Sequence, residues 1–212
     1  MRFENRTTAG KALADSLKNF ELDNLLILGI PRGGVVVGKS LCDELGGDLG
    51  IVVTRKIGFP GNPEYGIGAV AEDGTTVLSE ASERSKQITE EYLEIEKEKQ
   101  IKEIERRLRS YHYSLPNDLK DRTIVVVDDG IATGMTVLVA LKFLRKKNPK
   151  RLILAVPVAP ADTLKKLQGE ADDIICLFTP RLFYAVGQFY KDFSQVEDDE
   201  VISHLHGKDS TF

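Results

Sequence analysis

The chain has 212 residues, with 29 Lys and Arg against 33 Asp and Glu, two cysteines, no tryptophan and 42% hydrophobic residues, a balance that fits one globular domain, with or without an insertion, and excludes a disordered or collagen-like chain. A formal net charge of −4 argues against nucleic acid as a partner, because that affinity comes largely from excess cations. No run approaches the roughly 20 apolar residues that cross a bilayer, and the opening MRFENRTTAG lacks the apolar core of a signal peptide, so a cytoplasmic protein with no membrane partner is expected.

Leu13 and Leu17, four apart, predict a helix ahead of a first strand at residues 25–30. Val37, Leu41 and Leu45 repeat that spacing after it, and strands follow at 50–54 and 67–71. From about residue 79 to 113 the chain becomes dense in Glu, Lys and Arg around Ile88, Tyr92, Ile95, Ile101, Ile104, Leu108 and Tyr111. This predicts one long amphipathic helix or two, with a solvated, self-paired polar face and a narrow stripe for the core or a second subunit. His112 is expected to end it. Strands at 124–127, 151–158 and 174–178 enclose a helix carrying Val137, Leu141 and Leu144. Beyond them the aromatics Phe183, Tyr184, Phe189, Tyr190 and Phe193 are expected to pack in the core or an interface rather than stack on a base. His204 and His206 read as solvated tail residues, and HGKDSTF as a frayed terminus. Cys42 and Cys176 read as buried free thiols, neither of them a nucleophile.

Short, continuous apolar strands alternating with helices predict an α/β fold, a doubly wound, mostly parallel sheet in a single domain spanning 1–212, with the helical segment at about 79–113 inserted. Such sheets bind ligands at the carboxyl ends of their strands. Two turns there carry chemistry. The first, LLILGIPRGGVVVGKS, runs from a strand through Arg32, Gly33 and Gly34 into a helix, offering backbone amides and a forked cation to an anion. Gly33 to Ser40 also spells a P-loop, with Lys39 as its lysine. Val35, Val36 and Val37 are too stiff and apolar for such a loop, so a nucleotide hydrolase ranks low. The second turn, TIVVVDDGIATGMT, ends a strand in Asp128 and Asp129 and enters the next helix through Ala132, Thr133, Gly134, Met135 and Thr136. Its amides and hydroxyls suit a phosphate monoester, while the acidic pair must face sugar hydroxyls, a cation, or both.

IVVVDDGIATGMT resembles the PRPP-binding motif of the type I phosphoribosyltransferases, and PRGG resembles their pyrophosphate loop. Gly130 stands where many members carry an aliphatic residue. Residues 55–74, 155–160 and 183–193 are similar to a subgroup of phosphoribosyltransferases of unassigned substrate. The resemblance implies a magnesium-dependent pentosyltransferase of nucleotide metabolism, moving the 5-phosphoribosyl group of PRPP to a nitrogenous, nucleobase-like acceptor with release of pyrophosphate. It implies Asp128 and Asp129 on the ribose hydroxyls, residues 132–136 on the 5-phosphate, and Arg32, Gly33, Arg55 and Lys56 on the pyrophosphate. Mg2+ would bridge PRPP oxygens, with Asp128 and Asp129 as the nearest protein carboxylates. A non-proline cis peptide is often found in the pyrophosphate loop, a homodimer is common, and members cover the site with a flexible loop, for which residues 58–65 and the start of the charged segment are the candidates, a plain strand-connecting loop being the equal alternative. A PRPP-binding regulator without turnover is the alternative.

Overall fold

Five apolar runs, too continuous to leave a wet face, pair side by side in the computed structural model of the chain, which describes residues 2–83, 85 and 87–207. They are β1 (Leu26–Gly29), β2 (Asp48–Ile51), β6 (Thr123–Val127), β7 (Arg151–Val158) and β8 (Asp173–Phe178), in the order β2-β1-β6-β7-β8. Every pairing is parallel, so each connection crosses over through a helix or an insertion.

Strand periodicity divides the core between two faces. Ile27, Val125, Ile153 and Ala155 face Leu13, Ala14 and Leu17 of α1 (Arg6–Leu17) and Val37 and Leu41 of α2 (Gly33–Leu45). Leu28, Val126, Leu152 and Leu154 face Val137, Leu141 and Leu144 of α5 (Met135–Arg145) and Leu167 of α6 (Ala161–Leu167). The doubly wound, mostly parallel sheet expected from the alternation is present.

The run at 67–71 lies elsewhere. It belongs to β4 (Asn62–Ala71), which pairs antiparallel with β3 (Thr54–Phe59) and β5 (Thr76–Leu78) in a separate three-stranded sheet. Residues 58–65 are the outer end of the β3–β4 hairpin, with Pro60 and Gly61 as its turn, and the tip is exposed. The charged segment is chiefly one 21-residue helix, α4 (Glu90–Ser110), after a short α3 (Glu80–Glu83). Thr89 caps α4 by accepting the Tyr92 amide, and acids in the first turn and arginines in the last complement the helix dipole. Tyr111 follows as the C-cap, and His112 leaves the helix with a φ of 49°.

The apolar stripe of α4 docks on the small sheet: Ile104 is fully buried against Ile57, Ile67 and Val70. Its polar face is self-paired at three- and four-residue spacings, for example Lys97 with Glu94 and Arg109 with Glu105. No helix among the described residues is long and apolar enough to cross a membrane.

The histidines near the C-terminus are not solvated tail residues. They sit on α7 (Asp198–His206), where hydrophobic packing of Val201 against the core orders the helix, and His206 Nε2 lies 2.9 Å from the Tyr111 carbonyl oxygen. The expected fraying of the terminus falls on 208–212, outside the described residues.

Candidate active site

The order of the five-stranded sheet reverses between β1 and β6. From β1 the chain winds outward to β2, and from β6 the other way through β7 to β8. Neighbouring strands at such a switch send their following loops apart, leaving a crevice at their carboxyl ends. Both turns singled out in the sequence open there, one after Gly29 and one after Val127.

The turn after β1 contains a cis peptide between Pro31 and Arg32, as the family resemblance implied, and enters α2 at Gly33. The turn after β6 enters α5 through Gly134, which has a φ of 80° and whose added Cβ would lie 2.7 Å from Thr163 Cγ2. Only glycine meets both demands. Neither helix start has a side-chain cap or an acid in its first turn; at α2 the Gly34 and Val35 amides donate to the Ile30 and Arg32 carbonyls at 3.1 Å, so it is chiefly the α5 start that leaves amides for an anion. Thr163 Oγ1 donates to the Ala132 carbonyl at 2.7 Å and pins the second turn from α6.

The acidic pair lies against the first turn. A Cβ on Gly33 would fall 2.0 Å from Asp129 Oδ2 and 2.9 Å from Arg6 Nε, so glycine alone allows the loop and the carboxylates to meet. Asp128 Oδ1 accepts the Asp129 amide at 2.8 Å. Burial, reinforced by the neighbouring Asp129 charge, holds the Asp128 carboxyl well above the usual carboxylate range. Burial also raises Asp129, against the opposing pull of Arg6.

Arg6 is the residue that sequence reasoning missed. Its Nε donates to Asp129 Oδ2 at 2.8 Å, an Nη to the Ser194 carbonyl at 2.8 Å, and its guanidinium lies 3.9 Å from the centroid of the Phe193 ring. Tyr190, also buried, donates its hydroxyl to the Asp129 carbonyl at 2.6 Å. No local pattern marks these partners, because they come from the first helix and from a C-terminal segment that returns across the strand ends. That segment also explains Gly130, where a Cβ would meet Val186 Cγ1 at 2.5 Å and Val158 Cγ1 at 2.9 Å. The room an aliphatic side chain needs is already filled.

The remaining expected residues are placed unevenly. Arg32 caps α2, and its guanidinium reaches Glu197 Oε2 (3.3 Å) and Asp198 Oδ1 (3.8 Å). Arg55 and Lys56 lie on opposite faces of β3. Arg55 shares the face of Ile57 and bonds Gln100 of α4, while Lys56 pairs with Ala69, whose neighbours are on the α5 side. The structure therefore does not bring the two cations together. Lys39 points along α2 to an ion pair with Asp43, and Val35, Val36 and Val37 are buried helical residues, so the GGVVVGKS stretch is not a loop around phosphate.

The aromatic cluster divides as well. Phe189 and Tyr190 pack in the core with Phe3, whereas Tyr184 is 84% exposed. Tyr184 lines a cleft of about 750 Å³ beyond β8 with Arg2, Phe178, Arg181, Leu182 and Gln188. Burial pushes the Cys42 thiol up to about 12 and raises Cys176 too, which leaves both unreactive.

Comparison with known proteins bears on this crevice. A sequence profile described as the phosphoribosyl transferase domain matches residues 5–192. A Mycobacterium tuberculosis protein provisionally named a phosphoribosyl transferase is 38% identical over 204 residues, covering 96% of this chain and 46% of that protein. The chain thus spans about half the length of that relative. Uracil phosphoribosyltransferase of Staphylococcus saprophyticus is 34% identical over 64 residues, 30% of this chain and 31% of that enzyme. The crystal structure of a Thermus thermophilus protein, TT1426, superposes with a TM-score of 0.81 at 39% identity, covering 97% of this chain and 98% of that one.

Proposed function

The chain belongs to the phosphoribosyl transferase domain family, and from that premise we propose that it transfers the 5-phosphoribosyl group of PRPP to a nitrogenous, nucleobase-like acceptor, releasing pyrophosphate. The observation that carries this reading is the contact of Asp129 with Gly33, which sets an acidic pair between two uncapped helix starts. A ligand with a phosphate at one end, a diol in the middle and a diphosphate at the other uses all three.

In this reading Ala132, Thr133, Gly134, Met135 and Thr136 hold the 5-phosphate, Asp128 and Asp129 hold the ribose hydroxyls, and the Arg32–Gly33 turn holds the pyrophosphate, with Lys56 as the cation of the β3 face that does not carry Arg55. The acceptor nitrogen attacks the ribose C1 as the bond to pyrophosphate breaks. Fixed amides stabilise the departing negative charge, and the carboxylates tolerate the positive charge that develops on the ring. The hairpin tip at 58–65 serves as the lid that keeps water from the sugar cation. Tyr92 of α4 donates its hydroxyl to the Gly58 carbonyl at 2.7 Å and anchors the base of that hairpin. The cleft beside Tyr184 admits the acceptor.

The donor set fits Mg2+. The ion keeps waters and substrate oxygens and takes only one or two carboxylates. Asp128 and Asp129 would hold it, and it would neutralise charge on the diphosphate. The whole chain acts as one catalytic unit in the cytoplasm, with the helical segment as an insertion, and a homodimer is its proposed assembly.

Phosphorus NMR of the protein with Mg2+ and PRPP, with and without a mixture of purine and pyrimidine bases, tests the proposal. Base-dependent pyrophosphate release that disappears in Asp128→Asn/Asp129→Asn is the expected outcome. Undiminished release in that variant overturns it, and PRPP binding without release for any acceptor favours a regulator.

A further inference from the structure

The ion pairing along α4 is balanced except at one place. Arg55 of β3 and Lys99, Gln100, Lys102, Glu103 and Arg106 of α4 line a cleft of about 430 Å³. Glu103 is shared by Arg106 (2.7 Å) and Arg107 (3.0 Å), and Glu96 pairs with Lys99 at 3.2 Å while accepting from Gln100 at 2.6 Å. Arg55 spends its Nε on Gln100, and among the described residues neither its terminal nitrogens nor Lys102 have a partner. Of the residues that line the cleft, Arg55, Lys99, Lys102 and Arg106 thus stand against one carboxylate, Glu103, with Glu96 and Asp198 acting from beside it. Burial and the neighbouring Arg107 lower the pKa of Arg55, the mark of a guanidinium set among like charges.

Arg55 is half-buried, while Lys99, Lys102 and Arg106 are exposed at the rim, and an anion placed among them would offset their mutual repulsion. Lys99, Lys102 and Arg106 recur at i, i+3 and i+7 on one helix face, a row of roughly 10 Å, longer than a single phosphate needs. Asp198 separates this row from the pyrophosphate turn: it accepts the Tyr111 hydroxyl at 2.8 Å, lies 3.8 Å from Arg32, and acts electrostatically on Arg106.

We propose that the β3–α4 cleft binds a short polyphosphate chain, of the di- or triphosphate class, at a site distinct from the two turns of the crevice. Arg55 serves this site from the face of β3 opposite Lys56. The inference stands independently of the transfer reaction.

The test is isothermal titration calorimetry of the full chain with tripolyphosphate, and separately with ATP, in the presence of saturating PRPP. The same titrations are made on Lys102→Gln/Arg106→Gln and on a control, Lys165→Gln/Lys166→Gln, which removes equal charge from exposed positions on α6. All the substituted side chains are surface groups, and circular dichroism checks their folding. The expected result is binding that weakens roughly tenfold or more in the α4 variant and not in the control, as loss of charge-assisted contacts requires. Response to tripolyphosphate alone identifies a free polyphosphate, and response to both identifies a nucleotide tail as well. Equal affinities in all three proteins, equal weakening in both variants, or complete displacement by PRPP overturns the proposal. If PRPP itself fails to bind, the transferase reading falls while the contrast between the variants still decides the cleft.

Discussion

Replacing Arg6 with Met keeps the length of the side chain and removes its charge from Asp129. Both partners are largely out of water, with side chains 11% and 14% exposed, so breaking the pair should cost about 3–5 kcal/mol wherever Asp129 remains ionised. A further loss of about 1–2 kcal/mol, from the Ser194 carbonyl bond and the Phe193 face, does not depend on the state of the carboxyl. The larger part does. Asp129 already titrates above the ordinary carboxylate value, with Arg6 restraining the rise, and removing Arg6 raises it further. Between those two values the variant's native state keeps a proton that the parent has released. Its stability relative to the parent therefore falls as pH rises through that window, by up to about 1.4 kcal/mol per pH unit. Urea unfolding of parent and variant at pH 5 and pH 8 should show a small deficit at the lower pH and a large one at the higher. Asp129→Asn in the Arg6→Met background should restore much of the loss at pH 8. A deficit equal at both pH values, or no recovery with Asn, would refute the reasoning.

Other outcomes follow from the same geometry. Glu72 accepts the Val53 amide at 3.2 Å, and burial pushes its pKa up to about 7. Its native form therefore binds a proton that the unfolded chain releases near 4.5, and stability should fall by roughly 3 kcal/mol from pH 4.5 to 7; Glu72→Gln, followed by thermal unfolding across that range, should flatten the decline. Gly134→Ala meets both the positive φ and Thr163, so it should cost about 1 kcal/mol or more and weaken PRPP binding measured by calorimetry. Lys39→Ala removes only a helix-surface ion pair and should leave pyrophosphate release within about twofold of the parent, given the small worth of such pairs; a folded but inactive variant would revive the P-loop reading.

How far the sequence carries depends on the range of the contacts. The five strands of the parallel sheet and the helices α1, α2 and α5 were legible because each announces itself within one element, as an apolar run or a four-residue spacing. The two turns at the switch point were legible for the same reason: strand end, glycine and helix start are contiguous, so their backbone is specified locally. The small antiparallel sheet was not, since TRKIGF at β3 has no turn signal before it and finds its partner by pairing across a hairpin.

The arrangement of charge around the crevice needed the tertiary structure. Arg6 and Asp129 are 123 residues apart, and their ion pair depends on how α1 packs against the sheet and how the C-terminal segment returns over it. Arg55 and Lys56 are adjacent, yet strand geometry sends them to opposite faces, one toward α4 and the other toward the α5 side. Local chemistry in the sequence determined two glycine-containing strand-to-helix turns and an acidic pair. Chain closure decided which cations reach them, because electrostatic partners are set by distance in space and not by distance along the chain.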